Sequence, residues 1–376
     1  MANNLNLYDP LFYAQEGLIQ LENALGMAAR VHRGYDKEPQ QKGSTIKISK
    51  PGTFQAQDAP SVDQDLLPGD TEIRLDRWRE VKFSISDKEL NYTGEKIIQD
   101  HIRPAAYALA NDIDVALNGL SKSVPWFYNA AETTEVKDLT RVHQILFDNR
   151  APMNDGLLHL EVGGELQAGF LELFANANFA GTSSQGVQKT GYIGDRFGME
   201  IFGNQNVGTH LKGTASTGTM AVNGAAAKGA VLLSMDATAV TGTLVPGDSF
   251  SIEGDAQRYV VANTVTASGN AFSGVMIFPP LAQAAADNAV VRVDLTSHVE
   301  NIAFHRNAFA LGMAPLSELG NAFGAKVESV FDAKSGLALR SRMWYDGDNS
   351  RVKVALDVLY GVKCLDGNLA CKLRKV

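Results

Sequence analysis

His298 and His305 are the closest-spaced of the seven histidines, and no His-x-x-x-His pair occurs. Two histidines alone do not complete a zinc site, which takes about four ligands, so both read as ordinary surface or core side chains. Asp346, Asp348 and Ser350 resemble the opening of a calcium loop. The sixth position, where glycine makes the sharp turn, is Arg351, and the twelfth is Asp357 instead of glutamate. A solvated turn is the expected role. Asp112 and Asp114 stand two apart on a predicted helix and point to different faces, so they do not form a paired-carboxylate site. Lys42-Gly43-Ser44-Thr45 has the end of a phosphate-binding loop without its leading glycine. No Gly-x-Gly-x-x-Gly and no Gly-x-Ser-x-Gly is present. Cys364 and Cys371 flank Asp366-Gly367-Asn368, a strong hairpin signal. Neither hairpin register pairs them, and they are expected as free thiols.

One charged strip is sharper. Arg74-Leu75-Asp76-Arg77-Trp78-Arg79-Glu80 interleaves cations, acids and a tryptophan. It reads either as a solvated strand or as a salt-bridged subunit contact, because Trp and Arg are favoured as interface anchors. The contact reading names Arg74, Arg77, Trp78 and Arg79, with Lys47 and Lys50 on the strand before them.

The elements that must carry these residues follow from periodicity. Asp9 and Pro10 start a helix whose stripe is Leu11, Ala14, Leu18, Leu21, Leu25 and Ala28, with Gly34 as its stop. Thr45 to Ile48 and Thr71 to Ser86 alternate as strands of a long hairpin with a weakly apolar tip, the first turned at Pro51-Gly52. A lone two-stranded ribbon is marginal in water, so a neighbouring subunit is its expected support. Ser86-Asp87-Lys88-Glu89 opens a long helix with the stripe Ile98, Ile102, Ala105, Leu109, Ile113, Ala116 and Leu120. Pro104 predicts a kink or a joint within it. Helices are expected over Asp138–Phe147 and Glu165–Phe174, a strand over Leu157–Val162, and a helix-like piece in Val299–Leu311. A long buried strand is expected over Val352–Tyr360, closing in a hairpin at Asp366-Gly367.

Between Gly213 and His298 the composition shifts to Gly, Ala, Thr, Ser and Val, with short apolar runs separated by turns. That is the text of a small antiparallel barrel inserted into another domain. Phe250, Ile252, Tyr259, Val261, Val275 and Ile277 are its expected core.

The whole chain has 376 residues, 42 acidic and 34 basic, giving a formal charge of −8. Such a balance disfavours tight nucleic-acid binding, which rests on Lys and Arg neutralising phosphates. With 45% hydrophobic and 20% charged residues the chain is globular and not disordered. Its length predicts about two to three domains and a core that needs no disulfide or metal. No signal-peptide pattern opens it and no apolar run reaches the ~20 residues of a membrane span, so a soluble cytoplasmic product is expected.

The order of parts resembles the major capsid (coat) proteins of tailed bacteriophages, and the insert narrows the likeness to the short-tailed-phage coat proteins that carry a β-barrel. Leu109-Ala110-Asn111-Asp112-Ile113-Asp114 resembles the spine-helix text. Gly191-Tyr192-Ile193-Gly194 with Phe197-Gly198-Met199-Glu200-Ile201 is similar to its glycine-then-strand segment. Pro246-Gly247-Asp248-Ser249-Phe250-Ser251-Ile252 resembles the opening of the insert. Asn301 to Leu311 and Asp357-Val358-Leu359-Tyr360-Gly361 resemble the return and the last strand.

The resemblance implies an α+β fold with an N-terminal helix, an extended hairpin, a spine helix, and peripheral and axial domains. Expected boundaries are an arm helix at 1–36, the hairpin at 37–86, capsid core at 87–212 and 299–376, and the barrel at 213–298. It implies no catalytic, cofactor or metal residues. Implied partners are further copies in hexamers and pentamers, a scaffolding protein, a portal protein, and packaged double-stranded DNA held by weak non-specific contact, with no membrane. The implied location is the virion capsid, assembled in the host cytoplasm, and the net acidic charge suits a wall that encloses DNA without gripping it. Some relatives crosslink a hairpin lysine to a neighbour's asparagine. Lys42, Lys47 and Lys50 are available here, with no partner that can be placed. The arm helix, through Leu11, Leu18, Leu21 and Leu25, is expected to pack on the spine helix, to move during maturation and to lie near the scaffold contact. An encapsulin-like compartment shell is the same-fold alternative, weakened by the insert, and a β-rich binding module is the alternative of another class.

Overall fold

The computed structural model describes residues 10–33, 45–50, 69–130, 132–175, 193–318, 320, 324–332 and 336–375. Asp9, Gly34, Lys42, the hairpin tip and the polar loop before Ile193 lie outside the described residues. Along the chain run α1 (Pro10–Ala24), β1 (Thr45–Lys50), β2 (Gly69–Arg74), β3 (Arg77–Ser86), α2 (Asp87–Asn118), β4 (Phe127–Asn129), α3 (Val136–Asp148), β5 (Leu158–Val162), α4 (Gly164–Ala175), β6 (Gly194–Arg196), β7 (Met199–Gly203) and β8 (Thr209–His210). Eight short strands follow: β9 (Thr219–Val222), β10 (Leu232–Asp236), β11 (Thr243–Leu244), β12 (Ser249–Ile252), β13 (Arg258–Val261), β14 (Val265–Thr266), β15 (Ala271–Phe278) and β16 (Val290–Asp294). The chain closes with β17 (His298–His305), β18 (Phe309–Ala314), β19 (Lys326–Asp332), β20 (Leu337–Asp346), β21 (Arg351–Cys364) and β22 (Ala370–Lys375). The fold is α+β, in two compact units.

The first unit comprises Met1–Asp114 and Ala310–Leu365. Its sheet runs β18-β21-β20-β19, with β3 also paired to β21. The reading of Thr71 to Ser86 as one strand is corrected here. The chain breaks at Leu75 and Asp76, β2 pairs with β1, and β3 joins the sheet of its own chain through the register Arg77↔Tyr360 to Ser86↔Arg351. Leu75 ends the hairpin because it is buried, with Ile46, Ile73, Ala310 and Leu359, in a small core at the ribbon's base. Gly361 makes that seating possible, since a Cβ there would lie 2.1 Å from the Arg74 carbonyl oxygen.

α1 also differs from its reading. The helix stops at Ala24 and a 3₁₀ turn covers Met27–Ala29. Gly26 interrupts the run, and the Asp114 carboxylate accepts the N–H groups of Gly26 (3.0 Å) and Ala28 (3.1 Å). Leu18, Leu21 and Leu25 are buried, whereas Leu11 is 39% exposed and off the buried stripe. α1 packs chiefly on β19 and β20, so the sheet is its main support. Its polar tie to α2 is the Arg103 Nε donating to Gln20 Oε1 at 3.0 Å. α2 runs as one helix through Pro104, where a joint was an option.

The second unit comprises Val115–Phe309 and Asp366–Val376. Its sheet runs β4-β22-β17-β5-β7-β6, with β8 on β17. Leu139, Val142 and Leu146 of α3, with Leu166, Phe170 and Phe174 of α4, share one apolar core with Leu158, Leu160, Val162, Met199, Ile201 and Leu373. Two expectations fail in this region. Val299–Leu311 is not helical: it is β17, a 3₁₀ turn at Arg306–Ala308, and β18. Ile302, Ala303 and Phe304 are all buried, so a strand covered on both faces lost the alternation that would mark it. The Asp366-Gly367 turn is not a hairpin either. β21 and β22 belong to different sheets, and Gly367–Leu369 forms a 3₁₀ turn whose Asn368 N–H is accepted by Asp366 Oδ1 at 3.0 Å. Cys364 and Cys371 are buried, and burial pushes the Cys371 thiol up to about 12.

Within this unit β10-β15-β13-β12-β16-β9 close into an antiparallel barrel. Phe250, Ile252, Tyr259, Val261, Val275 and Ile277 line its core as expected, joined by Met220, Met235 and Phe272. Each such burial contributes about 1.5–3 kcal/mol.

Candidate functional site

Two clusters of buried ionisable side chains hold several strands each, one in each unit. In the first unit Asp357, fully buried on β21, accepts Arg340 Nε (3.0 Å) and Nη2 (2.5 Å) and Trp78 Nε1 (3.0 Å), with Arg342 Nη2 at 3.2 Å. Arg342 also meets Glu80 at 3.0 Å. The guanidiniums of Arg340 and Arg342 lie 5.9 and 6.0 Å from the Trp78 ring centre. Such a fork of charged donors on one carboxylate fixes the register of β3, β21 and β20.

The charged strip read from sequence lies along this cluster. Arg77 sits 6.0 Å over the Tyr360 ring, and Arg79 Nε meets Asp112 Oδ2 at 3.1 Å. Asp112 also accepts the Tyr360 hydroxyl at 2.5 Å; burial, then the Asp112 carboxylate, push that phenol up to about 12. Asp112 and Asp114 thus serve different partners, as their spacing implied. Trp78, 42% exposed, and Arg74 and Arg79, both exposed, are reached by solvent, with Trp78 and Arg79 on opposite faces of β3. Lys47 and Lys50 stand opposite Glu72 and Gly69 in the β1–β2 register. Asp346 is drawn to Lys353 Nζ (2.5 Å) and Asn349 Nδ2 (3.0 Å), which hold its carboxyl down at about 2. Those contacts tie the β20–β21 turn together.

The second cluster was missed in the sequence. It lies where the barrel meets the sheet of the second unit. His210 of β8 has its Nε2 3.0 Å from Asp248 Oδ1, and both side chains are buried. The same carboxylate accepts the N–H groups of Gly213 (3.3 Å) and Val245 (2.9 Å). Gly213 is where the chain passes into the barrel, and a Cβ there would lie 2.3 Å from the Thr243 carbonyl oxygen. The returning connection has its own clasp: Asp294 at the end of β16 accepts Arg374 Nη1, and Arg374 Nη2 donates to Ser249 Oγ at 2.7 Å. Between the two clasps, the His298 ring lies tilted 5.1 Å from the His210 ring, and Glu300 accepts Ser121 Oγ at 2.6 Å beside Lys372 Nζ at 3.6 Å.

This environment shifts its members in opposite directions. Burial, then Arg374 and Lys372, push His298 down to about 4, so it is neutral at pH 7. Burial disfavours the Glu300 carboxylate, but Lys372 and Ser121 outweigh it and hold its pKa below the usual range. Burial lowers Lys372 to about 8. The signal in the sequence was a Lys and an Arg alternating with apolar residues in Ala370-Cys371-Lys372-Leu373-Arg374. Among the described residues no group of three or more His, Cys, Asp or Glu could hold a metal. No described helix is long and apolar enough to cross a membrane.

No protein-family model and no curated protein matches the chain. Solved structures do. A structure from Mycobacterium phage Che8 is similar at 12% identity, covering 93% of this chain and 90% of that one, with a TM-score of 0.49. The capsid structure of the cyanophage P-SCSP1u is similar at 10% identity, covering 90% and 85%, with a TM-score of 0.44. A virus-like particle from Pyrococcus furiosus is similar at 9% identity, covering 96% and 99%, with a TM-score of 0.38. Likeness at this level is too distant to carry a function across.

Proposed function

We propose that the chain is a shell-forming coat protein, the major capsid protein of a tailed bacteriophage of the short-tailed type. The observation that carries the reading is the β1–β2 ribbon. Among the described residues its two strands pair only with each other, while its base is anchored by Ile46, Ile73 and Leu75. Such a ribbon is marginal in water without further support. An anchored base with a marginal arm is what a subunit needs to reach a neighbour. The sequence resemblance, from the spine helix to the last strand, supports the same reading. Both ionic clusters have strands to register, and the reading assigns no enzymatic activity.

In this reading hexamers and pentamers of the chain close around a scaffolding protein, a portal takes one vertex, and double-stranded DNA fills the shell through weak non-specific contact. Assembly takes place in the host cytoplasm. The barrel braces the subunit and its neighbours, α1 lies toward the scaffold, and Arg74, Arg77, Trp78, Arg79, Lys47 and Lys50 line subunit contacts. Negative-stain imaging of the chain, expressed with and without its scaffolding protein, tests this. Closed shells with the scaffold and aberrant or open assemblies without it are expected. A protein that stays monomeric in both preparations overturns the proposal.

A further inference from the structure

The outer wall of the barrel carries charge that neither clasp uses. In β12, Phe250 and Ile252 point into the barrel, so Ser249 and Ser251 face outward. Ser251 pairs with Arg258 on β13 and with Arg292 on β16. Two arginines therefore flank one serine in a row across three adjacent strands, about 10 Å apart at their Cα atoms. Both line a cleft of about 200 Å³ that Phe127, Ser249 and Asp294 also line.

The cleft is electrostatically unbalanced. Its one carboxylate, Asp294, is taken by Arg374 Nη1 and by Thr296 Oγ1 at 2.7 Å. Among the described residues neither Arg258 nor Arg292 has a carboxylate at salt-bridge distance. Arg258 lies 4.4 Å and Arg374 3.6 Å from the centre of the same Phe127 ring, which draws two cations together. Two uncompensated guanidiniums beside a hydroxyl match a tetrahedral dianion. A carboxylate brings one charge, a phosphoryl group about two, with three acceptor oxygens for the forked donors.

We propose that Arg258, Arg292 and the Ser251 hydroxyl form a binding site for one phosphoryl oxyanion on the outer wall of the barrel, in the cleft that Phe127 also lines. Phosphate titration of the full-length chain, followed by calorimetry at low ionic strength, tests it. Saturable binding is expected, weakened at least about tenfold in Arg292→Gln and in Arg258→Gln, as for loss of a charged hydrogen bond. Arg292 is exposed, so Arg292→Gln should keep the wild-type unfolding midpoint in phosphate-free buffer. Acetate should compete poorly. A phosphate monoester should displace phosphate, whereas a short DNA duplex, whose diester phosphates carry one charge each, should compete poorly. No saturable phosphate binding, or binding that both variants retain, overturns the proposal.

Discussion

His210 and Asp248 face each other at 3.0 Å with their side chains sealed from water, and they join the last strand before the barrel to the loop that opens β12. Asp248 also holds the Gly213 and Val245 N–H groups, so one carboxylate fixes both the incoming connection and the turn that opens β12. Replacing Asp248 by Ala strands three donors at once. Leaving a buried donor without its acceptor costs about 1–3 kcal/mol. Urea unfolding of the full chain should show a shift of that size, and limited proteolysis should begin cutting near Gly213. A variant with a wild-type midpoint and no new cleavage would show that the clasp does not hold the barrel.

The neighbouring His298 gives a pH dependence with a definite sign. Its folded pKa, about 4, lies below its ordinary value near 6.5. Between those values the unfolded chain binds the proton and the folded chain does not, so stability falls as the pH drops from about 6.5 towards 4. Glu300 adds to the same trend at lower pH, because its folded pKa is also depressed. Denaturant midpoints should therefore be lower at pH 5 than at pH 7. His298→Asn should flatten part of that slope. A midpoint that rises on acidification in this window contradicts the assignment.

Legibility in the sequence followed the range of the interactions. The barrel core was readable because Phe250, Ser251 and Ile252 alternate in and out, and turn residues separate the strands. α1 and α2 were readable from their local period. What failed depended on distant partners. Gly26 ends α1 by using Asp114, 88 residues away. β17 is covered on both faces and has no period to read. Lys372 and Arg374 are buried because Glu300 and Asp294 come from other strands, which no local pattern contains. The strip from Arg74 to Glu80 was singled out for its residue types. Its own-chain partners, Asp357 and Asp112, lie too far along the chain to be paired in advance.

Trp78 separates the two roles that strip could have. Trp78→Phe keeps an aromatic ring beside Arg340 and Arg342 but loses the 3.0 Å bond to Asp357. It should cost about 1.5–3 kcal/mol, as for a hydrogen bond to a charged group, and leave shell yield largely unchanged. Trp78→Ala also removes the half-exposed ring, so assembly yield should fall further than the loss of stability explains. Equal yields from the two variants at matched stability would remove Trp78 from the subunit contact.

The helix α1 can be tested on two faces. Leu21 is fully buried, and α1 rests mainly on β19 and β20, so Leu21→Ala should cost about 2–5 kcal/mol by leaving a cavity. Placing charges at Leu18 and Leu21 would unsettle the first unit itself, which makes those positions poor reporters of assembly. Ile19 is the better one. It is 53% exposed on the outward face of the same helix. A surface change there should alter stability by no more than about 0.5 kcal/mol. If α1 meets the scaffolding protein, Ile19→Asp should reduce the yield of closed shells in co-expression while the purified chain keeps its unfolding midpoint. Wild-type yield from Ile19→Asp would leave the helix a support for the β19–β20 sheet and nothing more.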